Sequence, residues 1–122
     1  MKLSKIVEVF PSVQALSATK LPAKASYRVA KALIALTAEV KLYEEQRIKL
    51  AEEFGTKSED GKQFIFSDEN TPKFSEQMMA LLDEECSVTL QTISPDDLGD
   101  VGIEAYHLAT LDGILIAENS HA

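Results

Sequence analysis

The sequence predicts an α+β domain that is predominantly α-helical, built on one long helix at about 23–54. Three observations carry that expectation. Residues 23–54 contain no glycine or proline and are rich in Ala, Leu, Lys and Glu, the strong helix formers. Within them Val29, Leu33, Leu36, Val40, Tyr43, Arg47, Leu50 and Phe54 recur at alternating steps of four and three. That is the spacing of an apolar helix seam, with one polar break at Arg47. Elsewhere, short stretches alternate apolar and polar residues, as strands do.

Taken in order, residues 2–20 are amphipathic and broken by Pro11, which suits the first turn of a short helix over PSVQALSAT. Val13 and Leu16, with Ile6, Val9 and Phe10, are its inward candidates. Pro22 stands at the start of the long helix and Gly55 just past its end, where proline and glycine are favoured. At 1.5 Å per residue the helix is about 45–50 Å long. A globule of this size does not cover such a length, so the seam needs a partner, from this chain or another copy. Glu45 and Lys49 stand in the favourable order for an exposed ion pair.

Asp60-Gly61 has turn chemistry, and Phe64-Ile65-Phe66 is a short strand. Thr71-Pro72 opens a helix over 72–85 that presents Phe74, Met78, Leu81 and Leu82 on one face. CSVTLQTI places Val88 and Leu90 on one side, which predicts a strand at 87–92 paired with 63–67 in a small two-stranded β element. Ser94-Pro95-Asp96-Asp97 is a further cap signature. Residues 103–117 send two signals. Leu108, Leu111 and Leu115 fit a helix face, whereas Asp112-Gly113 between apolar runs marks a hairpin; the helix is favoured. The terminal ENSHA is expected to fray.

Length predicts one domain over 1–122. Hydrophobic residues are 45% and charged residues 26%, which disfavours wholesale disorder. No apolar run reaches the roughly 18 residues of a membrane span. Glu8 and Pro11 interrupt any signal-peptide core. The single cysteine, Cys86, fits a reducing interior, so the reading is intracellular. A net charge of −8 disfavours nucleic-acid and anionic-membrane binding. The charge is also divided: residues 1–50 carry nine Lys/Arg against four Asp/Glu, and residues 51–122 carry three Lys against sixteen Asp/Glu. Two solvated surfaces that partly neutralise each other explain this most simply; head-to-tail pairing of copies is the other reading.

Little in the chain resembles a catalyst, and no enzyme activity, cofactor or metal is expected. Glu104 and His107 have E-x-x-H spacing, but a di-iron bundle needs two such motifs and further glutamates on long helices. Cys86 follows Asp83, Glu84 and Glu85, whose charge raises a thiol's pKa, so it reads as structural. Asp96, Asp97 and Asp100 lack the spacing of a calcium loop. The basic stripe of Lys20, Lys24, Arg28 and Lys31 lies on one helical face near a helix N-terminus, against the macrodipole. Glu52 and Glu53 oppose it at the other end. A contact explains such placement, with the acidic half of this chain, with a protein partner or with a phosphate backbone. The residues expected to make protein contacts are Lys24, Arg28 and Lys31, with Glu44, Arg47 and Glu52 at the exposed end.

Over residues 9–115 the chain resembles a group of short bacteriophage and prophage proteins of uncharacterised function. The likeness lies in Phe10-Pro11 and Leu16, then in Lys20-Leu21-Pro22 with Lys24, Tyr27, Ala30 and Lys31. It continues through Glu39, Tyr43-Glu44-Glu45, Arg47, Leu50, Phe54-Gly55 and Asp60-Gly61-Lys62, and through Phe74, Leu81-Leu82, Glu84-Glu85 and Val88. Ser26 and the insertion of Cys86-Ser87 depart from it. The resemblance implies a phage origin and supplies no catalytic residues. The expected function is a small phage protein working by protein–protein contact, as a minor virion or assembly component, with self-association through the long helix. Its expected place is the host cytoplasm during infection and the virion, and its partners are copies of itself, other phage proteins or a host protein. The alternative is an acidic inhibitor of a host protein, whose Asp83–Glu85 and Asp96–Asp100 surfaces imitate nucleic acid or fill a basic pocket.

Overall fold

Helix α1 (Leu3–Ser17) forms because Leu3, Ile6, Val9, Val13 and Leu16 fall on one stripe, and all five are buried. The structure, a computed structural model, describes residues 1–99, 102 and 104–117. The helix runs unbroken through Pro11, where a break was expected. Pro11 is exposed, and it removes one amide hydrogen bond at a cost of about 3 kcal/mol. Burial of apolar side chains on both sides of it, at about 1.5–3 kcal/mol each, outweighs that cost.

Helix α2 (Ala23–Phe54) is the expected long helix, about 48 Å from end to end. Its seam is covered by its own chain: Val29 and Leu36 are buried, and Leu33, Val40, Tyr43, Arg47, Leu50 and Phe54 are half-buried. The core lies under the N-terminal half. There Ala25, Val29, Ala32 and Leu36 meet the α1 stripe, Ile93, Leu98, Leu111, Leu115 and Ile116. Between Leu36 and Ala51 no residue of α2 is fully buried.

The two-stranded element is a local hairpin. Strand β1 (Gly55–Lys57) pairs antiparallel with β2 (Phe64–Phe66), Gly55 facing Phe66 and Lys57 facing Phe64. The expected pairing of 63–67 with 87–92 does not occur. Gly61 turns the chain at φ 70°, and the Asp60 carboxylate accepts the Ser58 hydroxyl and the Lys62 amide. Closing this short loop costs less entropy than reaching residue 87. Residues 87–92 have no backbone partner strand, yet Val88 and Leu90 are half-buried while Ser87, Thr89 and Gln91 are exposed. Their alternation reflects side chains laid on the core.

Gly55 plays a different part from the one expected. Its φ of −122° is extended, so it is no left-handed cap. Glycine is needed for space: a Cβ there would lie 2.8 Å from Phe66 Cε1 and 2.9 Å from the Ala51 carbonyl. The Phe54 carbonyl accepts the Asn70 side-chain amide at 3.0 Å, which ties the end of α2 to the start of α3 (Asn70–Leu82). Helix α3 occupies most of the expected 72–85 range but buries no residue fully. Its C-terminal neighbour Glu84 accepts the Leu3 amide, and Cys86 donates to the Met1 carbonyl.

A 3-10 turn (Pro95–Leu98) precedes helix α4 (Ala105–Leu111). Both signals in 103–117 were real in part. The helix ends at Leu111, and Gly113 at φ 77° reverses the chain, so that Leu115 and Ile116 are buried. Ile93 donates to the Leu115 carbonyl at 2.7 Å and accepts from Ala117 at 2.8 Å. The expected fraying of 118–122 falls outside the described residues.

Gly55→Ala is expected to lower stability by about 1–3 kcal/mol through overpacking against Phe66. Leu36→Ala should cost about 2–5 kcal/mol by leaving a cavity. Urea denaturation measures both, and an unchanged midpoint for Gly55→Ala would contradict the close approach.

Candidate functional site

The expected contact residues do not form one surface. Lys24 Nζ lies 3.4 Å from Asp97 Oδ2, which joins the basic half of the chain to the acidic half. Arg28 Nη1 donates to the Thr92 carbonyl at 2.7 Å. Lys31 Nζ stands 5.5 Å from the centre of the Tyr27 ring. The basic stripe is therefore partly engaged within the chain. At the other end of α2, Arg47 donates to Glu44 Oε2 from Nε at 3.1 Å and from Nη2 at 2.8 Å. Glu52 is exposed.

Arg47 stands in the wall of a cleft of about 520 Å³ between the C-terminal half of α2, the hairpin and α3. Ile48, Ala51, Phe64, Phe66 and Phe74 supply the apolar lining, and Arg47, Lys62 and Gln63 the polar groups. Phe66 and Phe74 stack with ring centres 4.5 Å apart. Lys57 Nζ lies 6.0 Å from the centre of the Phe64 ring. Of the three lysines after residue 50, Lys62 lines the cleft and Lys57 sits on the adjoining strand. The Asp60 carboxyl is held below its usual range by the Ser58 hydroxyl and then by the Lys62 amide, which fixes the turn that carries Lys62.

Such a cleft has the size and lining of a small recognition site. Its floor takes an aromatic or aliphatic side chain, and Lys62 takes a carboxylate, while Arg47 in the wall is already paired with Glu44. The sequence marked Arg47, the Phe64–Phe66 strand and Phe74 separately. Lys62 was marked only within Asp60-Gly61-Lys62 of the resemblance and Gln63 only as the start of the expected 63–67 strand, neither as a contact residue. A lysine two residues before an aromatic strand, in a segment otherwise rich in Asp and Glu, was the available signal.

Glu104 and His107 do not share a helix face. Glu104 is the N-cap of α4, and His107 Nδ1 is 2.8 Å from the Ser12 hydroxyl. Ser12 is only 1% exposed, so this contact satisfies a buried hydroxyl. Among the described residues no three His, Cys, Asp or Glu side chains converge as a metal site, and no helix is long and apolar enough to cross a membrane. Cys86 is half-buried. Its thiol is pushed up by burial first, then by the Glu39 carboxylate of α2. Within the acidic surfaces, Asp83 pairs with Lys2 at 2.6 Å and Glu85 with the Met1 ammonium at 3.1 Å. Asp100 lies outside the described residues.

Comparison of the chain with protein-family models, curated proteins and solved structures returns no match.

At pH 8, native Cys86 is expected to react with a thiol reagent several-fold more slowly than the urea-unfolded chain, because a raised pKa lowers the thiolate fraction. The rate should climb with pH into the alkaline range, and Glu39→Gln should increase it at fixed pH. Equal native and unfolded rates would contradict the burial. His107→Ala should cost about 1–3 kcal/mol by leaving the Ser12 hydroxyl unpaired, and the Ser12→Ala, His107→Ala double variant should recover part of that loss in denaturation experiments.

Proposed function

We propose that the protein is non-enzymatic and works by protein–protein contact, through the cleft between α2, the hairpin and α3. The supporting observation is the apolar floor of Phe64, Phe66 and Phe74 beside the exposed Lys62. A partner segment with an aromatic or aliphatic residue next to Asp or Glu satisfies both. Burial of its anchor contributes about 1.5–3 kcal/mol. The exposed charges add about 0.2–1 kcal/mol and chiefly set orientation.

The resemblance supplies the setting: a small bacteriophage protein, a minor virion or assembly component, acting in the host cytoplasm and carried in the particle. The competing reading is an acidic inhibitor of a host protein. It is less well supported, because Asp83, Glu85 and Asp97 are already ion-paired within the chain.

Selection of a random peptide display library on the purified protein tests the cleft. The expected winners carry an aromatic or aliphatic residue adjacent to Asp or Glu, and bind Lys62→Glu about tenfold more weakly, a loss of about 1.4 kcal/mol. Lys62 is exposed, so the variant keeps its fold. Winners indifferent to this substitution, or without an acidic residue, would sink the proposal.

A further inference from the structure

A second surface lies on α2, on the side turned away from the seam. Tyr27, Ile34 and Leu42 are 65%, 74% and 56% exposed. Ala30 and Ala38, also exposed, fall between them at helical spacing. Together they form an apolar stripe centred on Ile34. Ala30 and Ile34 continue into a groove of about 200 Å³ floored by Leu21, Val29 and Leu33. The stripe occupies 27–42 and the cleft begins at 47, so this surface is independent of the cleft.

The charge beside the stripe says what covers it. Residues 20–38 carry Lys20, Lys24, Arg28 and Lys31 and no acidic residue. Residues 39–45 carry Glu39, Glu44 and Glu45 against Lys41. Two parallel copies of α2 would set cations on cations. Two antiparallel copies set each basic half against an acidic half.

We propose that the outward face of α2 is the interface of a two-fold symmetric, antiparallel homodimer with its axis at Ile34. This axis sets Ile34 on Ile34 and Ala30 opposite Ala38, and the alanines permit close approach of the helices. Residues an equal number of steps on either side of Ile34 come level, so Tyr27 of each copy meets Lys41 of the other, a cation–π pairing. Lys24 comes within one residue of the level of Glu45. The interface is isologous, so each pairing occurs twice. The overlap, Ala23 to Glu45, is about 33 Å of helix. A single helix face of that length falls below the roughly 1,200 Å² of stable complexes, so the dimer is one of weak affinity.

Sedimentation equilibrium of the full chain from about 10 to 500 µM, a range matched to that affinity, is the test. The mean mass is expected to rise from 13.4 kDa toward twice that value. Ile34→Glu should abolish the rise, as should Ala38→Glu, with helical circular dichroism unchanged because both positions are exposed. In a Cys86→Ser background, Ile34→Cys should form a disulfide dimer. Lys24→Cys and Glu45→Cys should cross-link only when mixed. A mass fixed at the monomer value overturns the proposal. So does a dimer unmoved by both glutamate variants, or one in which Lys24→Cys cross-links to itself.

Discussion

The length of α2 governs this structure. A 122-residue chain that packs evenly has a radius of gyration of about 14 Å, and an unbroken helix of about 48 Å cannot be enclosed by what remains. The rest of the chain therefore divides along it. Helix α1, Ile93, Leu98 and the 111–116 segment close a dry core under its first half. The hairpin and α3 cover its second half with half-buried side chains. The cleft is the space that a three-residue hairpin and a helix without a fully buried side chain leave against α2.

Much of that division was legible in the sequence, and the failures have physical causes. Helix α2 was readable at both ends because Pro22 and Gly55 bracket a stretch free of helix breakers. Pro11 misled because its local penalty is visible in the sequence, whereas the burial of Ile6 and Val9 before it and Val13 and Leu16 after it is a tertiary term. The strand partner was misassigned because Val88 and Leu90 alternate for side-chain reasons, while Gly55–Lys57 has no apolar alternation of its own. The alternation at 87–92 predicts burial correctly and backbone pairing wrongly, since alternating side chains can lie on an apolar surface without a partner strand.

The candidate site was less legible still. Arg47, Lys62, Phe66 and Phe74 are local features with no shared spacing, and only the hairpin and α3 bring them together. The basic stripe was visible as a stripe, but the sequence did not show that Lys24 reaches Asp97 or that Arg28 reaches the Thr92 carbonyl. Those two contacts hold the segment around 92–97 against α2. They illustrate how charges placed against a helix dipole can serve the fold itself. The seam behaves likewise: its heptad spacing suggests a partner helix, and that partner is supplied within the chain.

Helix α3 has no fully buried residue, and α2 has none between Leu36 and Ala51. The opening free energy of this end is set by half-buried contacts, and it lies below that of the core. The hairpin and the start of α3 are the least protected elements, while the end of α3 is tied to α1 through the Leu3 amide and the Glu84 carbonyl. A ligand that needs the closed cleft stabilises that end by mass action while leaving the core unchanged. The protein is in effect a firm core carrying a more weakly packed end.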